Sequence, residues 1–352
     1  MKFAKEIITY NQVKAFALSR HKGLSFPYLK ENGELLSIAA NSGLIIEPRA
    51  LELYREFYDT SFEILSLYPQ FFRFIFAMTL DLEALGMVGD KSAEISDYII
   101  SNNLISFETS DTRRLEILHL LDRAGKTPTI RGDSPEALKQ RIHSFISHSD
   151  QFTKFNRPFF YELTHLIFFL TDYGKEKTQV TPEMIQSLLN VGLLAILDND
   201  ADLLSEICLC LKFLDQEPPE LWIDYCESTL ENMKIEYAGS NTTIEQTPDD
   251  YHMYFVANWL MKAVGRPAFR GQFLTGTPYF RKPKNSESVL SCLSQTMHSV
   301  IMSRPKNKIE ATYKITSTLS KKQFETARIA ISSCSGGPHL LNKLTHGLVQ
   351  TL

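Results

Sequence analysis

The sequence predicts an all-α protein built as an array of helical hairpins, in either an α/α toroid-like or a solenoid arrangement. Apolar residues recur every three to four positions along most of the 352 residues, which is the period of an α-helix. Four strongly apolar segments end at a glycine, the residue favoured just beyond a helix end, at Gly86, Gly125, Gly174 and Gly265. With a further helix end before Pro218, these ends recur at intervals of about 45 residues, which suits stacked helical pairs.

Eleven segments of the chain have helical periodicity. In chain order they are residues 49–67, 70–86, 92–102, 111–124, 134–147, 158–173, 182–197, 203–214, 219–237, 250–264 and 286–302. The N-termini of two predicted helices are strongly indicated, because Ser134 and Thr181 can each cap a helix and each precede a proline that can occupy the first helical position. The glycine-ended helices are the more hydrophobic set, which favours an inner layer with the charged helices outside.

Two stretches depart from the helical pattern. Residues 34–47 contain a turn signal between short apolar runs and predict a small hairpin. Residues 309–319 alternate between apolar and polar side chains and predict one strand or an extended arm. The resulting segments are an N-terminal segment 1–48, a helical-hairpin array 49–302 and a basic C-terminal segment 303–352.

The composition is that of an ordinary globular chain. Hydrophobic residues make up 43% and charged residues 22%, which excludes disorder over most of the length. No apolar run approaches the roughly 20 residues that cross a bilayer, and the first residues lack the apolar stretch of a signal peptide, so no membrane partner is expected. Five cysteines, an odd number in a long chain, argue against a disulfide framework and predict a cytoplasmic setting.

The charge is uneven along the chain. The net charge is −4, yet residues 303–352 carry eight Lys or Arg and two Glu, a net charge of +6. Opposite charge predicts that this segment packs against the acidic helical body, or against a second subunit in a homodimer. Most of the contact energy would come from apolar residues, such as Ile309, Tyr313, Ile315, Phe324, Ile329 and Leu340. Nucleic acid is not an expected partner, because a denser cationic stripe with interleaved aromatic residues would be needed.

The segment at residues 161–174 places polar groups in one of the most hydrophobic helices. His165 and Asp172 are seven positions apart and share a helical face, with Tyr161 and Glu162 one turn before His165. Buried polar groups need partners and often mark functional sites. The segment therefore predicts a pocket, and a core histidine bonded to a neighbouring carbonyl is the alternative.

Two E-x-x-H pairs, Glu116 with His119 and Glu162 with His165, predict metal binding. This spacing lets one helix offer a carboxylate and an imidazole to one metal, as in di-iron bundles. The four residues are therefore candidate ligands of a divalent metal, either iron or zinc, and Asp81 on another helix is a candidate additional carboxylate.

A third candidate site lies at the start of the helix predicted at 250–264. A histidine in the first turn of a hydrophobic helix, here His252, could face the mouth of a cavity together with Trp259 on the same side. The alternative is that Asp249 or Asp250 caps the helix and His252 is exposed. In the following loop, Arg270 either meets an anionic ligand or caps a helix C-terminus.

The segment at residues 161–174, with its motifs TH and TDYG, also carries a family resemblance. It resembles an uncharacterised family of all-helical bacterial proteins, similar to those found beside natural-product biosynthesis enzymes. The leucine-rich residues 81–86 and the Tyr251-His252 pair extend the likeness. The resemblance implies a bacterial protein with an α/α architecture and a biosynthetic role, and it implies no particular reaction.

These patterns predict a small-molecule enzyme with a polar pocket in a helical array and general acid–base chemistry. A non-catalytic helical-repeat scaffold that binds a protein or peptide is one alternative, and a metal-dependent enzyme is another. The sequence contains no Walker loop, Rossmann glycine fingerprint, HExxH or GxSxG motif, so no nucleotide cofactor is expected. The candidate catalytic residues are His165, Asp172, His119, Asp122 and His252. The candidate binding residues are Tyr161, Glu162, Asp81, Tyr251, Trp259 and Arg270.

Overall fold

The computed structural model describes residues 7–21, 23–127, 132–238, 249–271, 273–284, 288–303, 308–334 and 336–345. The predicted segments 1–48 and 303–352 each include residues that lie outside this description. Within the described residues the predicted all-α fold is confirmed, because helices dominate and the strands are short. No helix in the described residues is both long enough and apolar enough to span a membrane.

The α-helices follow one another along the whole described chain. In order they are α1 (Tyr10–Lys14), α2 (Phe26–Ser42), α3 (Pro48–Leu51), α4 (Arg55–Asp59), α5 (Ser61–Leu67), α6 (Phe72–Ala84), α7 (Lys91–Ser101), α8 (Asp111–Arg123), α9 (Pro135–Ile146), α10 (Arg157–Leu170), α11 (Pro182–Leu197), α12 (Ala201–Phe213), α13 (Glu220–Glu231), α14 (Tyr251–Ala263), α15 (Val289–Met302), α16 (Lys308–Thr318), α17 (Lys321–Ser332) and α18 (Gly337–Leu344). A π-helix occupies Ala15–Ser19, and 3₁₀-helices occupy Glu52–Tyr54, Pro69–Phe71, Leu104–Phe107 and Ser149–Thr153. The strands are β1 (Ile7–Ile8), β2 (Ile45–Ile46), β3 (Lys234–Ala238) and β4 (Thr277–Arg281).

The chain forms two compact units, each made from two separate stretches. The first unit comprises Met1–Lys139 and Met233–Lys282, and the second comprises Gln140–Asn232 and Pro283–Leu352. The first unit contains a parallel pair, β1 with β2, and an antiparallel pair, β3 with β4. This division therefore differs from the three consecutive segments that the sequence predicts.

Local signals set the helix ends where the sequence predicts them. Thr181 Oγ1 accepts a hydrogen bond from the backbone amide of Met184 at 3.3 Å, and Ser134 Oγ accepts one from Ala137 at 3.0 Å. Each hydroxyl satisfies an amide that the first turn of the helix leaves without a partner. The glycines predicted to end helices have positive φ, at Gly86 (+109°), Gly125 (+69°), Gly174 (+86°) and Gly265 (+75°). The predicted helix ends are therefore confirmed at these positions.

The predicted hairpin at residues 34–47 is wrong. Most of this stretch continues α2, which ends at Gly43 with a φ of +69°. The turn signal in the sequence is therefore a helix end, since glycine takes the left-handed conformation at either feature. A short strand does follow, but it pairs in parallel with the N-terminal strand, with Ile45 beside Ile7.

The predicted strand or arm at residues 309–319 is also wrong, because α16 occupies this stretch. Ile309 and Tyr313 are 81% and 72% exposed, whereas Ile315 is fully buried. Ile309 and Tyr313 are one helical turn apart and share the outer face, which leaves Ile315 to contact the core. Ile329 is also exposed and Phe324 is half-buried, so Ile315 and Leu340 are the predicted contact residues that are buried.

Two predicted helices are shorter than their hydrophobic patterns. The stretch at 49–67 is divided among α3, a 3₁₀ turn, α4 and α5. The stretch at 219–237 is helical only as far as Glu231, and β3 begins at Lys234. In both places the apolar periodicity continues past the end of a helix, so the pattern does not show where that helix ends.

The second unit packs its helices around α11 and α12. α12 contacts α10, α11 and α13, while α17 and α18 of the basic C-terminal segment pack against α11. Lys343 of α18 forms an exposed ion pair with Asp150. The indole of Trp222 is fully buried and lies directly against Gly192 of α11, where a side chain would overlap it. The small residue therefore allows the ring of Trp222 to pack against the backbone of α11.

Gly192→Ala is expected to lower the free energy of unfolding by about 1–3 kcal/mol, because the added methyl group meets a rigid buried ring. Gly33→Ala is the matched control, since Gly33 also lies inside a helix but its nearest neighbour, Met78 Cγ, is 3.6 Å from the position of an added Cβ. That variant should gain about 0.5–1 kcal/mol from helix propensity. Urea unfolding measures the free energy of unfolding of both variants. An increase for Gly192→Ala would contradict the close contact between Gly192 and Trp222.

Ile315→Ala should destabilise the protein by about 2–5 kcal/mol, whereas Ile309→Ala should change stability by no more than about 0.5 kcal/mol. In a strand the two residues would lie on the same face, since they are an even number of positions apart. In α16 they lie on different faces, and only Ile315 is buried. If chemical denaturation shows the same loss of stability for Ile315→Ala and Ile309→Ala, the result would favour a strand over the helix.

Candidate functional site

The polar residues predicted to form a pocket at 161–174 do not lie in the core. His165 is exposed, whereas its neighbours Thr164 and Leu166 are among the residues that α10 buries. Asp172 lies beyond the end of α10 with a φ of +42°, and it pairs with Lys175 at 3.5 Å. The expected burial of His165 is therefore wrong, because the helix turns its larger apolar arc inward and His165 lies outside that arc.

The other polar groups of α10 bind partners on α12. Tyr161 donates a hydrogen bond to Asp202 at 2.9 Å, and Thr164 donates one to the buried carboxylate of Glu206. Burial, and then the neighbouring carboxylates Asp202 and Glu206, raise the pKa of Tyr161. These contacts satisfy polar groups between two packed helices. Glu162 is half-buried on the same helix.

The four predicted metal ligands are divided between the two units. Glu116 and His119 belong to the first unit, and Glu162 and His165 belong to the second. Glu116 forms an ion pair with Arg73, so its carboxylate already faces a cation. Among the described residues, no three His, Cys, Asp or Glu side chains are grouped so as to hold a metal ion.

The remaining candidates of α6 and α8 lie in different environments. Asp81 is 1% exposed and forms an ion pair with Arg123 at 2.6 Å, which joins the two helices. His119 is buried, whereas Asp122 is exposed. Asp122 therefore does not share the buried environment of His119.

Two of the residues predicted at the start of α14 border a cluster of charged side chains, which consists of Arg20, Glu31, Glu34 and Asp249. Tyr251 donates a hydrogen bond to Glu34, and burial followed by this carboxylate raises the pKa of Tyr251. His252 Nε2 lies 3.9 Å from Glu34 Oε1. Trp259 is buried in the core, and Arg270 is exposed in the loop that follows the helix. Only Tyr251 and His252 of this group therefore border the cluster.

A rare backbone turn leads into the centre of this cluster. α1 continues into the π-helix Ala15–Ser19, where the amide of Arg20 donates to the carbonyl of Ala15 at 3.0 Å, five residues earlier. Such turns are uncommon and frequently lie at functional sites. The next two residues, Arg20 and His21, are both buried.

Arg20 is a buried cation held between two carboxylates. Its Nε and Nη2 donate to Glu31 at 2.6 and 2.9 Å. Its Nη1 lies 2.6 Å from Asp249 Oδ2 and donates to the carbonyl of Pro278 at 2.7 Å. Three aromatic rings surround the guanidinium carbon, with centroids 5.3 Å away at Phe16, 5.2 Å at Tyr251 and 5.4 Å at Phe280. The two-point contact makes Glu31 the principal partner.

The pKa values of Glu31 and Asp249 shift in opposite directions, because burial and charge pairing act on both carboxylates to different extents. Burial by itself would raise the pKa of Glu31, but hydrogen bonds from Arg20 and His21 bring that pKa below its ordinary value of 4.5. At Asp249 burial is the largest influence and raises the pKa, although Arg20 opposes it. Glu31 is therefore the carboxylate that stays ionised to lower pH.

His21 connects the ion pair to a cavity. Its Nε2 lies 2.9 Å from Glu31 Oε1, and its side chain is only 5% exposed. Its other ring nitrogen, Nδ1, makes no hydrogen bond with any residue in the described part of the chain. Nδ1 therefore keeps an unused hydrogen-bonding position.

The cavity beside His21 has a volume of about 280 Å³, near the lower end of the range for small-molecule sites. Its apolar wall comes from the π-helix, from the loop after it, from the 3₁₀-helix Glu52–Tyr54 and from α4 and α5. The apolar side chains include Leu18, Leu24, Leu53, Phe57 and Ile64. Its polar groups are those of His21, Tyr28, Glu56 and Thr60. An apolar wall with a few polar groups is typical of a binding site for a small molecule.

Sequence reasoning missed Arg20, His21 and Glu31, because it assigned no helix to the N-terminal segment and placed only a small hairpin there, at residues 34–47. It offered Asp249 or Asp250 as the cap of the following helix. Asp250 is the N-cap residue of α14, whereas the carboxylate of Asp249 accepts a hydrogen bond from the amide of Phe280 at 3.0 Å and pairs with Arg20. One signal was present. Glu31 lies on the apolar face of α2, three residues after a buried tyrosine and four before a buried leucine, where a charge requires a partner.

Comparison with known proteins identifies the family but no function. No curated protein and no solved structure matches the chain. The model of one family, described as a domain of unknown function, matches residues 4–342. Because this match extends over nearly the whole sequence, the chain belongs to the family DUF6902.

Proposed function

We propose that the protein is a small-molecule enzyme in which His21 exchanges a proton with a ligand bound in the adjacent cavity. The observation that carries the proposal is the 2.9 Å contact between His21 Nε2 and Glu31 Oε1 at the wall of that cavity. A histidine that is oriented by a carboxylate and borders a cavity suits general acid–base catalysis at neutral pH. This assigns the predicted acid–base chemistry to a histidine outside the sequence candidates.

Glu31 would fix which nitrogen of His21 carries the proton. In this proposal the carboxylate accepts a hydrogen bond from Nε2–H across the 2.9 Å contact, which would leave the lone pair of Nδ1 for the ligand. The role proposed for Glu31 is therefore to orient the ring.

The cellular compartment, the bacterial origin and the biosynthetic role are proposed from the sequence, and one structural observation supports the compartment. All five cysteines are free thiols, and Cys208, Cys210 and Cys226 are buried, which supports a reducing cytoplasmic compartment. The bacterial origin and the natural-product biosynthetic role rest on the resemblance at residues 161–174. The toroid-like or solenoid arrangement, the homodimer and the roles of His119 and His165 remain predictions from the sequence.

The proposed chemistry can be tested with a mixture of natural compounds in place of a single chosen substrate. Incubation of the purified protein with a cellular metabolite extract, followed by untargeted mass spectrometry, should reveal a compound that the wild-type protein consumes. His21→Asn should slow that consumption by about 10²–10⁴-fold, the usual contribution of a general acid or base. His298→Asn, which alters an exposed histidine, should not change the rate.

Thermal unfolding would confirm that both histidine variants are folded. The proposal is wrong if His21→Asn consumes the same compound as fast as the wild-type protein. It is also wrong if the wild-type protein consumes no compound at all from extracts that contain the main classes of cellular metabolites.

Glu31→Gln should lower the free energy of unfolding by about 3 kcal/mol at neutral pH, because it removes one partner of a buried ion pair. The pKa of Glu31 is lowered in the folded protein, so its stabilising contribution is complete above 4.5 and is lost as the pH falls through the lowered value. The difference between wild-type and variant should therefore shrink in acid. Glu52→Gln, which removes an exposed pair with Arg55, is the control and should have little effect. Urea unfolding across the acid range checks this, and a difference independent of pH would contradict it.

A further inference from the structure

The cavity beside His21 contains a carboxylate that the fold does not use. Glu56 of α4 lines the cavity wall, and within the described part of the chain its side chain makes no hydrogen bond or ion pair. Thr60, one turn later on the same wall, donates its hydroxyl to the backbone carbonyl of Glu56 at 2.7 Å. The carboxylate of Glu56 therefore remains free to contact a ligand.

The charge of Glu56 acts across the cavity. Burial, and then the negative charge of Glu56, raise the pKa of Tyr28 to about 12. Tyr28 is a lining residue of the same cavity and is 8% exposed, so at neutral pH it contributes an uncharged hydroxyl. The polar part of the wall thus combines one anionic group with neutral or basic ones.

The rest of the wall offers apolar surface that is not yet covered. Leu18 and Leu24 line the cavity and are 54% and 40% exposed. Leu53 and Ile64 are half-buried, and the ring of Phe57 is buried. A ligand with an apolar body would remove this surface from water, at about 25 cal/mol for each Å² covered.

We infer that the ligand is a small amphipathic amine. Its ammonium group would pair with Glu56, and its alkyl or aryl body would cover the leucine side chains at the cavity mouth. The cavity volume of about 280 Å³ limits the ligand to the smaller metabolites. This inference names the substrate class of the proposed acid–base site, and it therefore rests on the proposed function.

The two kinds of contact make different contributions. Apolar burial supplies most of the affinity, because a carboxylate that is partly exposed to solvent gains little from an ion pair. Glu56 instead determines selectivity, by favouring a cation over a neutral molecule or an anion of the same shape. Its contribution should also fall with added salt, since an exposed pair is screened.

Three probes of equal chain length test the inference, namely n-hexylamine, 1-hexanol and hexanoate. Their dissociation constants can be measured with the full-length protein by chemical-shift changes in NMR spectra. The amine should bind about 2- to 5-fold more tightly than the alcohol, and hexanoate should bind least tightly. The resonances of His21 and Phe57 should shift with each bound probe.

Glu56→Gln should remove the preference for the amine and leave the affinity for 1-hexanol unchanged. Glu52→Gln is the matched control, because Glu52 lies one turn earlier and pairs with Arg55, and is not among the cavity lining. This control should retain the full preference. Since both variants replace exposed carboxylates, neither is expected to affect folding.

The outcomes separate this inference from the proposed function. If the amine and the alcohol bind equally and Glu56→Gln changes nothing, the amine inference is wrong, while the cavity and the role of His21 still stand. If no probe binds and the His21 resonances do not move, the amine inference and the cavity as a binding site are both wrong. If the probes bind but His21→Asn loses no metabolite turnover, only the proposed acid–base role fails.

Discussion

The neutralisation of a buried guanidinium organises the first unit. The side chain of Arg20 has no exposed surface, and an unpaired charge in such a position costs several kcal/mol. Its partners come from α2, from the residues before α14 and from β4, where the Pro278 carbonyl is 258 positions further along the chain. All of these partners must be in place together. The ion pair therefore ties the N-terminal helices to a distant part of the sequence.

The same ion pair gives the candidate site its geometry. Glu31 holds Arg20 with two hydrogen bonds and contacts His21 with the same carboxylate. Fold and candidate site thus share one group, so we expect a change at Glu31 to alter both the stability and the proposed chemistry. His21 lies at the outer end of this chain of contacts and borders the cavity.

The features that the sequence predicted are those set by local backbone chemistry. Thr181 caps a helix whose first residue is a proline, and Gly86 has the left-handed conformation, because a few neighbouring residues decide these outcomes. Packing decides the rest. His165 lies in a strongly apolar segment, and the sequence does not show that its neighbour Thr164 is the buried residue. The alternation at residues 309–319 fits a strand locally, but the burial of one helical face determines the structure.

The candidate site was harder to predict, for a related reason. Arg20 and Glu31 lie on different elements, and Asp249 is more than two hundred positions away, so no spacing in the sequence brings them together. The sequence placed His252 at the mouth of a cavity and Tyr251 among the binding residues, whereas the structure places both beside Glu34. Their roles in binding or catalysis stay predictions. The cavity itself is lined by residues of the π-helix, α4 and α5, which are separate elements, so its formation is a tertiary feature.

The π-helix at Ala15–Ser19 makes the site depend on the number of residues as well as on their identity. A π-turn accommodates one residue more than an α-turn, and each residue of an α-helix rotates the chain by about 100°. Deletion of a single residue from this turn would restore regular helix and rotate Arg20 and His21 away from Glu31 by about that angle. Among relatives of this chain, a one-residue gap before the Arg-His pair would therefore mark loss of the site even where both residues are retained. An insertion of the same size in an exposed loop would have no such consequence.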